Sequence, residues 1–574
     1  MKRVATYTFL LTLIFQLQIE KAEAQPVSDS LLLNSPIYRE KLHLFTDRSL
    51  YASGEIIHFR LHNKSHDLLK ENSWSTVLYL ELIGNHNIPV AQGKYQLDPK
   101  GATGQLLIPD TVSTGAYHLR AYTKWMRNFD ASDYFHLPLT VVNPQKINRS
   151  EMPKFDSTQA AITNPLTSHE VVSCSLERVS YGNREKVTLQ INLEDTASLK
   201  KGYCVSVIKK GYLDLDFSYT PHGDIEDQIK TGEVLFYPET RGISLSGRAI
   251  RDSDSTPMAY TPVHITLLGP ESDYFGTVTD KFGRIQFSIP SVTSPTELLI
   301  TSSSKSGEVI DLILQDEFSQ DFTMPSFTPS NVLNIRQSLV NEMGTYSQVA
   351  KPFITSGADV TSTEEKESEY SFYGTPEFRY KTADYIEIPN LEEFIFELVP
   401  KVQVEKQNRQ KYFSVLDDAG PISEFAPLIL LDFVPIPYVE AILSLAPEQI
   451  EYIDIINTIY IRGSTNYGGI ISIVSKKGDL AGIKLPEGSS ILTFNPLNKM
   501  EEMKFIDYDH QKFSKRIPDL RTTLHWSAQN KFLSGRQNTI EFFTSDVSGE
   551  FIAVIRGMTK KGTIVQGTCE FTVK

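Results

Sequence analysis

Three histidines recur every fourth residue early in the chain, at His58, His62 and His66. Histidine is a common metal ligand, and residues four apart on a β-strand project from the same face. One hypothesis is therefore a metal site on this stretch. The favoured alternative places the three side chains on the polar outer face of a strand that runs into a loop.

The chain has three cysteines, Cys174, Cys204 and Cys569, and their spacing does not match a zinc site. In an exported protein one pair can be oxidised while the third thiol is left over. Cys174 and Cys204 are predicted to lie in neighbouring strands of one domain, so they are the candidate pair. The alternative is that all three are buried free thiols.

The sequence holds no motif of a known catalytic constellation: no G-x-S-x-G, no H-E-x-x-H, no P-loop and no G-x-G-x-x-G. It also lacks the spacing of a calcium loop. The acidic run at residues 364–369 is interpreted as a solvated linker. We therefore predict no catalytic, cofactor-binding or metal-binding residues, no cofactor and no enzymatic activity. A hydrolase site assembled from loops is the remaining alternative.

Composition favours several folded β-rich domains. The chain has 574 residues, of which 40% are hydrophobic and 10% aromatic, and this length suggests roughly four domains. A formal charge of −14 argues against nucleic acid as a partner.

Residues 1–24 have the pattern of a cleaved signal peptide, and the alternative is an uncleaved anchor. Lys2 and Arg3 precede an apolar run, and Ala22-Glu23-Ala24 provides small residues before the expected cleavage point. No later stretch approaches the 20 or so apolar residues of a spanning helix, so the mature chain is expected to lack a transmembrane segment.

From residue 36 to 144 the pattern is that of a β-sandwich. The run from Ile56 to His62 alternates apolar and polar residues, as a half-buried strand does. Gly54 and Gly115 fall where tight turns favour glycine.

Two stretches of this domain carry a resemblance: "TDRSLYASGEIIHFR" with Tyr51, Gly54 and Glu55, and "STGAYHLRAYTKWMRNF". Both resemble the macroglobulin-like (MG2-type) domains of the α2-macroglobulin superfamily. More narrowly, they are similar to exported proteins of Bacteroidetes-type bacteria. Residues 165–237 resemble a second macroglobulin-like sandwich. The Gly-Cys-Gly-Glu-Gln thioester segment of macroglobulin traps does not occur in this sequence, so trapping by a thioester is not expected.

Residues 240–315 resemble the carboxypeptidase regulatory-like, transthyretin-type sandwich, an accessory domain without catalytic residues in that family. Here Asp280 and Gly283 are predicted to form the turn of a hairpin. Residues 316–388 are expected to be a linker that is partly disordered.

Residues 389–482 are predicted to form a small α+β unit. Leu391, Phe394, Ile395 and Leu398 lie on one face of a short helix, and the apolar stretch "APLILLDFVPIP" is typical of a strand buried on both faces. The order of elements predicts a mixed sheet. The closing stretch "YGGIISIVSKKGD" resembles the plug domain of TonB-dependent outer-membrane receptors.

Residues 515–574 are predicted to form a separate, C-terminal Ig-like β-sandwich. A receptor plug sits inside a large β-barrel, but only 95 residues follow Asp479, too few for such a barrel in this sequence. We therefore expect the plug-like unit to be a packing or docking module.

The expected fold class is mainly β: tandem immunoglobulin-like and macroglobulin-like sandwiches plus one small plug-like α+β domain. The leading functional hypothesis is a non-enzymatic scaffold or binding protein of the cell envelope. It would be exported to the periplasm or outer membrane and would dock on an outer-membrane transport or assembly complex. The alternative is an accessory ligand-binding component of a TonB-dependent nutrient uptake system.

Overall fold

The computed structural model describes most of the chain from residue 39 onward. The described residues are 39–64, 75–99, 101–144, 172–193, 202–213, 234–269, 272–289, 294–302, 308–324, 342–346, 371–385, 388–407, 410–422, 424–462, 465–485, 487–499, 503, 505–509, 518–530, 538–559 and 562–574. Across them the fold is mainly β, with tandem β-sandwiches and one α+β unit, as predicted. The predicted signal peptide, His66 and residues 364–369 lie outside the described residues.

The first sandwich packs a three-stranded sheet, in the order β1-β3-β6, on a five-stranded sheet, in the order β2-β8-β7-β4-β5. Its strands are β1 Leu42–Thr46, β2 Leu50–Ala52, β3 Ile56–Asn63, β4 Val77–Ile83, β5 Pro89–Gln96, β6 Ala102–Leu107, β7 Gly115–Tyr122 and β8 Phe135–Val142. Alternate residues of β3 fill the space between the sheets, so Ile57, Phe59 and Leu61 are fully buried.

The two turn glycines of this sandwich behave differently. Gly54 has a φ of +86°, a conformation that L side chains rarely adopt, as the sequence predicted. Gly115 begins β7 and is not among the residues with positive φ. The conformational prediction for Gly115 was therefore wrong.

The second sandwich is assembled from two distant chain segments. The first supplies β9 Val172–Leu176, β10 Ser180–Tyr181, β11 Lys186–Leu193 and β12 Tyr203–Lys209. The second supplies β29 Thr523–Asn530, β30 Asn538–Phe543, β31 Gly549–Met558 and β32 Ile564–Val573. They interleave as one sheet in the order β10-β32-β31-β12-β29 and another in the order β30-β11-β9.

This arrangement corrects the prediction of two separate sandwiches at residues 165–237 and 515–574. In the structure β12 is hydrogen-bonded to β31 on one side and to β29 on the other, so neither segment builds its sheet alone. The alternation of apolar and polar residues identifies strands, but it does not say which distant strand completes a sheet.

The third sandwich combines a sheet in the order β16-β13-β18 with one in the order β15-β14-β17-β28. Its strands are β13 Ile243–Arg251, β14 Pro262–Leu268, β15 Asp273–Val278, β16 Arg284–Ile289, β17 Thr296–Ser302, β18 Ile310–Leu314 and β28 Ser490–Phe494. Asp280 and Gly283 form the expected tight turn. However, β15 and β16 belong to different sheets, so the predicted hairpin is instead a crossing between the two layers.

The α+β insert occupies residues 371–485 and holds a five-stranded sheet in the order β19-β24-β27-β22-β23. Its strands are β19 Phe378–Lys381, β20 Val402–Gln407, β21 Gln410–Val415, β22 Leu428–Leu431, β23 Val434–Pro435, β24 Ile450–Ile456, β25 Tyr460–Arg462, β26 Thr465–Tyr467 and β27 Ile470–Ser475. Its helices are α1 Leu391–Leu398 and α2 Val439–Leu443. The sheet is mixed, because β22 and β27 run parallel while β24 and β27 run antiparallel.

Two local expectations about this unit hold and one does not. The Asn390 side chain caps α1 by accepting a hydrogen bond from the Glu393 backbone N–H at 2.9 Å. Leu391, Phe394 and Ile395 of α1 are buried, as their spacing indicated. However, β19 lies within the stretch predicted to be a linker, so the ordered unit begins before residue 389.

The chain is therefore nested. The third sandwich lies between the two halves of the second, and the α+β insert lies between β18 and β28 of the third. The two ends of each insertion lie next to each other in the sandwich that contains it. Ile208 of β12 pairs with Thr523 of β29, and Gly488, just before β28, packs closely against the Ile310 backbone of β18. This adjacency lets a long insertion sit in a sandwich without breaking its sheets.

A chain in which residues 165–213 are joined to 518–574 by a short Asn-Gly turn is expected to fold, because β12 and β29 then form an ordinary hairpin. Far- and near-ultraviolet circular dichroism with urea unfolding provides the measurement, and a single cooperative transition is expected. The matched controls are the separate chains 165–237 and 515–574, which are expected to remain unfolded. Cooperative unfolding of either control alone would contradict the interleaved sandwich.

Candidate functional site

The structure does not bring the candidate histidines together as a metal site. Within the described residues no group of three or more His, Cys, Asp or Glu side chains is placed to hold a metal ion. His58 and His62 do lie on the same face of β3, but that face is buried: His58 is 9% exposed and His62 is fully buried. The prediction of a polar outer face open to solvent was therefore wrong for these two residues.

The face is buried because the second sandwich covers it. Ser206 of β12 donates a hydrogen bond to the Asp47 carbonyl oxygen at 2.6 Å, and Arg556 of β31 donates one to the Thr46 carbonyl. The Arg556 guanidinium also lies 5.2 Å from the centre of the Phe45 ring, a cation–π distance. The polar face of β3 is thus part of a junction between the first two sandwiches.

Burial in this junction shifts the titration of its basic groups. It lowers the pKa of His43 well below its ordinary value and lowers the pKa of His58. It also lowers the pKa of the Arg556 guanidinium. Near neutral pH the two histidines are therefore uncharged, which suits side chains enclosed between two domains.

A second junction joins the first sandwich to the third and depends on a buried ion pair. Arg120 of β7 and Glu81 of β4 are both fully buried, and Nε of Arg120 lies 2.7 Å from the Glu81 carboxylate. The remaining guanidinium N–H groups donate to the carbonyl oxygens of Ser319 and Asp321 at 2.6 and 2.7 Å. Residues 315–324, which we call the strap, are thereby held against the first sandwich.

Two further buried charges lie at the same junction. Glu239, which precedes the third sandwich, accepts hydrogen bonds from the Tyr79 hydroxyl at 3.0 Å and the Ser244 backbone N–H at 2.7 Å. Lys124 donates to the Ser244 carbonyl oxygen at 2.8 Å, and burial lowers the pKa of Lys124 to about 8. All these hydrogen bonds link the two sandwiches or their connecting segments. Glu239 and Lys124 therefore serve to hold the two sandwiches together.

A third junction joins the third sandwich to the α+β insert. The Tyr274 hydroxyl lies 2.7 Å from Nδ1 of His264 and 2.8 Å from the Tyr467 hydroxyl, so a hydrogen-bonded chain crosses from β14 and β15 to β26. Beside it, Arg462 of the insert pairs with Asp273 of the third sandwich. Burial lowers the pKa of His264 to about 4, so this imidazole is neutral over the physiological range.

One cavity of about 620 Å³ lies beside the second junction. Lys94 projects at its edge, is nearly fully buried and pairs with Glu317 of the strap. The Lys94 backbone N–H also donates to the Asn498 side-chain oxygen at 2.9 Å. The volume suits a small-molecule pocket, but Phe318 is the single aromatic residue of its lining. The lining comprises residues 89–94, Pro295, Glu317, Phe318 and residues 495–499.

Exposed apolar side chains concentrate on the inserted part of the chain, residues 234–499. Of the fifteen large apolar side chains that are exposed among the described residues, twelve lie there. The most exposed of the twelve is Phe396 of α1, at 85%, and Tyr438 immediately before α2 is 56% exposed. Six of the twelve lie on the third sandwich or just before it, and the other six lie on the α+β insert: Tyr385, Phe396, Tyr412, Tyr438, Ile459 and Ile461.

Comparisons with known proteins identify no family. No family model matches the chain, and the curated proteins contain no similar sequence. Solved structures of alpha-2-macroglobulin are similar over most of the chain: a mutant of the Salmonella protein over 96% at 8% identity, and the trypsin-activated Escherichia coli protein over 94% at 9% identity.

The TM-score is 0.22 for both macroglobulins, and the chain spans only about two fifths of their length, 40% and 42%. A likeness at this score does not identify the domains of this chain. The similarity therefore leaves the macroglobulin-like, carboxypeptidase regulatory-like and plug-like resemblances as proposals from the sequence.

Sequence reasoning missed the residues that hold the junctions. It treats Arg120 only as part of a family motif, although a charged residue within the apolar run of β7 is a sign of a buried partner. Arg556 lies in the almost wholly buried strand β31, so it too indicates a buried partner. The partners themselves, such as the carbonyl of Ser319, lie far along the chain and leave no local signal.

Replacing Glu81 with alanine is expected to lower the free energy of unfolding by about 3–5 kcal/mol, because Arg120 is then left buried without its counter-ion. Urea denaturation is the measurement. Glu541→Ala removes a solvent-exposed partner of Lys186 and is the control, with no measurable change expected. Equal, small effects from the two substitutions would show that the Glu81–Arg120 pair does not stabilise the junction.

Proposed function

We propose that this chain is a non-enzymatic scaffold and protein-binding protein of the bacterial cell envelope. In this proposal it is exported and then docks, through its α+β insert, on an outer-membrane transport or assembly complex. The observation that carries the proposal is the set of six exposed large apolar side chains on the insert, of which Phe396 of α1 is the most exposed at 85%. The predicted signal peptide and the plug-like resemblance of the insert support the location.

The junctions are compatible with a scaffold. The charged groups at the junctions take part in hydrogen bonds or ion pairs between units: the buried Arg120 and Lys124 at one junction, and the partly exposed Arg462 at another. Groups committed to such contacts position one unit on the next. The insert would thus be presented to a partner in a defined orientation relative to the sandwiches.

Helix α1 is the strongest candidate for a contact with the partner. Its buried face, with Leu391, Phe394 and Ile395, already packs inside the insert. Phe396 lies outside that face, and burying a phenylalanine ring is worth about 1.5–3 kcal/mol when a partner covers it. Large aromatic side chains of this kind dominate the affinity of many protein interfaces.

No helix within the described residues is long and apolar enough to cross a membrane. In the proposal, membrane association runs through a protein partner, an outer-membrane protein complex.

An epitope-tagged chain with Phe396→Glu is expected to recover its outer-membrane partner from detergent extracts at least about tenfold less than the natural sequence, because a charge replaces an apolar contact. Quantitative mass spectrometry of the captured proteins is the measurement. Val179→Glu is the matched control, since Val179 is 80% exposed but lies in the second sandwich. Recovery of the natural chain as a periplasmic protein without any partner would overturn the proposal.

The cavity beside Lys94 favours a second candidate function, an accessory ligand-binding component of a TonB-dependent nutrient uptake system. A bound nutrient would raise the melting temperature by an amount that grows with the logarithm of its concentration relative to its Kd. In Ala91→Trp a large side chain would fill the cavity. This variant is expected to lose the ligand-induced rise in melting temperature while still capturing a protein partner. The absence of any stabilising nutrient in a broad screen would count against this second function.

A further inference from the structure

Strand β9 and strand β32 belong to different sheets of the second sandwich, yet they run side by side. Beyond β9 the chain continues into β10, where Ser180 pairs with Thr572 of β32 in a parallel ladder. At the other end, Gly567 approaches Val172 so closely that a Cβ on Gly567 would lie 2.2 Å from the Val172 carbonyl oxygen. The two strands are thus in contact over their length and point in the same direction.

Each strand carries a cysteine two residues after this point of contact. Cys174 follows Val172 on the same face of β9, and Cys569 follows Gly567 on the same face of β32. Because Val172 and Gly567 are in contact and the strands are parallel, this spacing places the two cysteines side by side. Both side chains are half-buried and pack against the core of the second sandwich, so a small reagent has access to them.

The thiolate is the attacking species in thiol–disulfide exchange, so the reaction begins when one thiol of this pair loses its proton.

Cys204 is not the partner of Cys174. It is fully buried with Phe45 and Trp526 at the junction with the first sandwich, and its thiol donates to the Arg556 carbonyl oxygen at 3.4 Å. Burial raises the pKa of Cys204. The disulfide considered from the sequence, Cys174 with Cys204, is therefore not the pair that the fold brings together.

We propose that Cys174 and Cys569 form a disulfide that closes the second sandwich when the chain meets a disulfide oxidant. The thiolate of one cysteine attacks one sulfur of the oxidant's disulfide and releases one thiol. The thiolate of the other cysteine then attacks the first cysteine's sulfur in this mixed disulfide and releases the second thiol. Two electrons pass from the cysteine pair to the oxidant, and the two cysteine protons pass to the solvent or to the released thiolates.

The bond would join the two halves of the split sandwich covalently. The loop from residue 174 to residue 569 contains the whole third sandwich and the α+β insert. Because a cross-link restricts the unfolded chain more as the loop lengthens, this disulfide would constrain the unfolded state strongly. Export to an oxidising compartment, predicted from residues 1–24, would supply the condition under which it forms.

The test equilibrates the purified full-length chain with oxidised glutathione and maps its tryptic peptides without reduction. The expected result is one cross-linked species that joins the peptides carrying Cys174 and Cys569, with Cys204 alkylated only after unfolding. Cys204→Ser is the control and retains the cross-link, whereas Cys569→Ser loses it. The oxidised chain is also expected to melt about 5 °C or more above the reduced chain.

Two results would overturn the proposal. One is a cross-link between Cys174 and Cys204 in the native chain. The other is a chain in which Cys174 and Cys569 both react with an alkylating reagent after prolonged equilibration, while circular dichroism shows a folded protein. A chain that keeps the cross-link but gains no thermal stability would overturn the stabilising role of the bond.

Discussion

The pairing of β12 with strands from the far end of the chain is the constraint on which the rest of the structure depends. β12 is hydrogen-bonded to β31 over seven residues, Tyr203 to Lys209, and to β29 on its other side. The central strand of this five-stranded sheet is β31, which belongs to the C-terminal segment. The sheet therefore cannot form before that segment is present. Ser206 and Arg556 of this sheet also donate hydrogen bonds to the first sandwich. The junction between the two sandwiches therefore also requires the C-terminal segment to be in place.

The junctions between units are notable for their polar content. The buried Arg120–Glu81 pair lies at one junction, and the His264–Tyr274–Tyr467 chain crosses another. Buried polar groups add little net stability, but each demands partners in one geometry. We infer that the orientation of neighbouring units is specified by these contacts and that this specificity is what a scaffold requires.

The parts of the fold that the sequence predicted are local ones. Ile57, Phe59 and Leu61 all point into a core because alternate residues of a strand face the same side. Asn390 predicts the start of α1 because its side chain caps the helix. The split sandwich and the burial of His58 depend on contacts between residues hundreds of positions apart. Alternation in β3 predicted one covered face, but a strand has the same pattern whether water or another domain covers its polar side.

Hydrogen exchange followed by mass spectrometry tests the central claim, that the second sandwich is one cooperative unit made from two segments. Near the global unfolding limit, amides of β11 and amides of β30 and β31 are predicted to become exchangeable together, with the same free energy of opening. If residues 172–213 exchanged fully while residues 538–574 stayed protected, the two segments would be independent domains, and the interleaved sandwich would be contradicted.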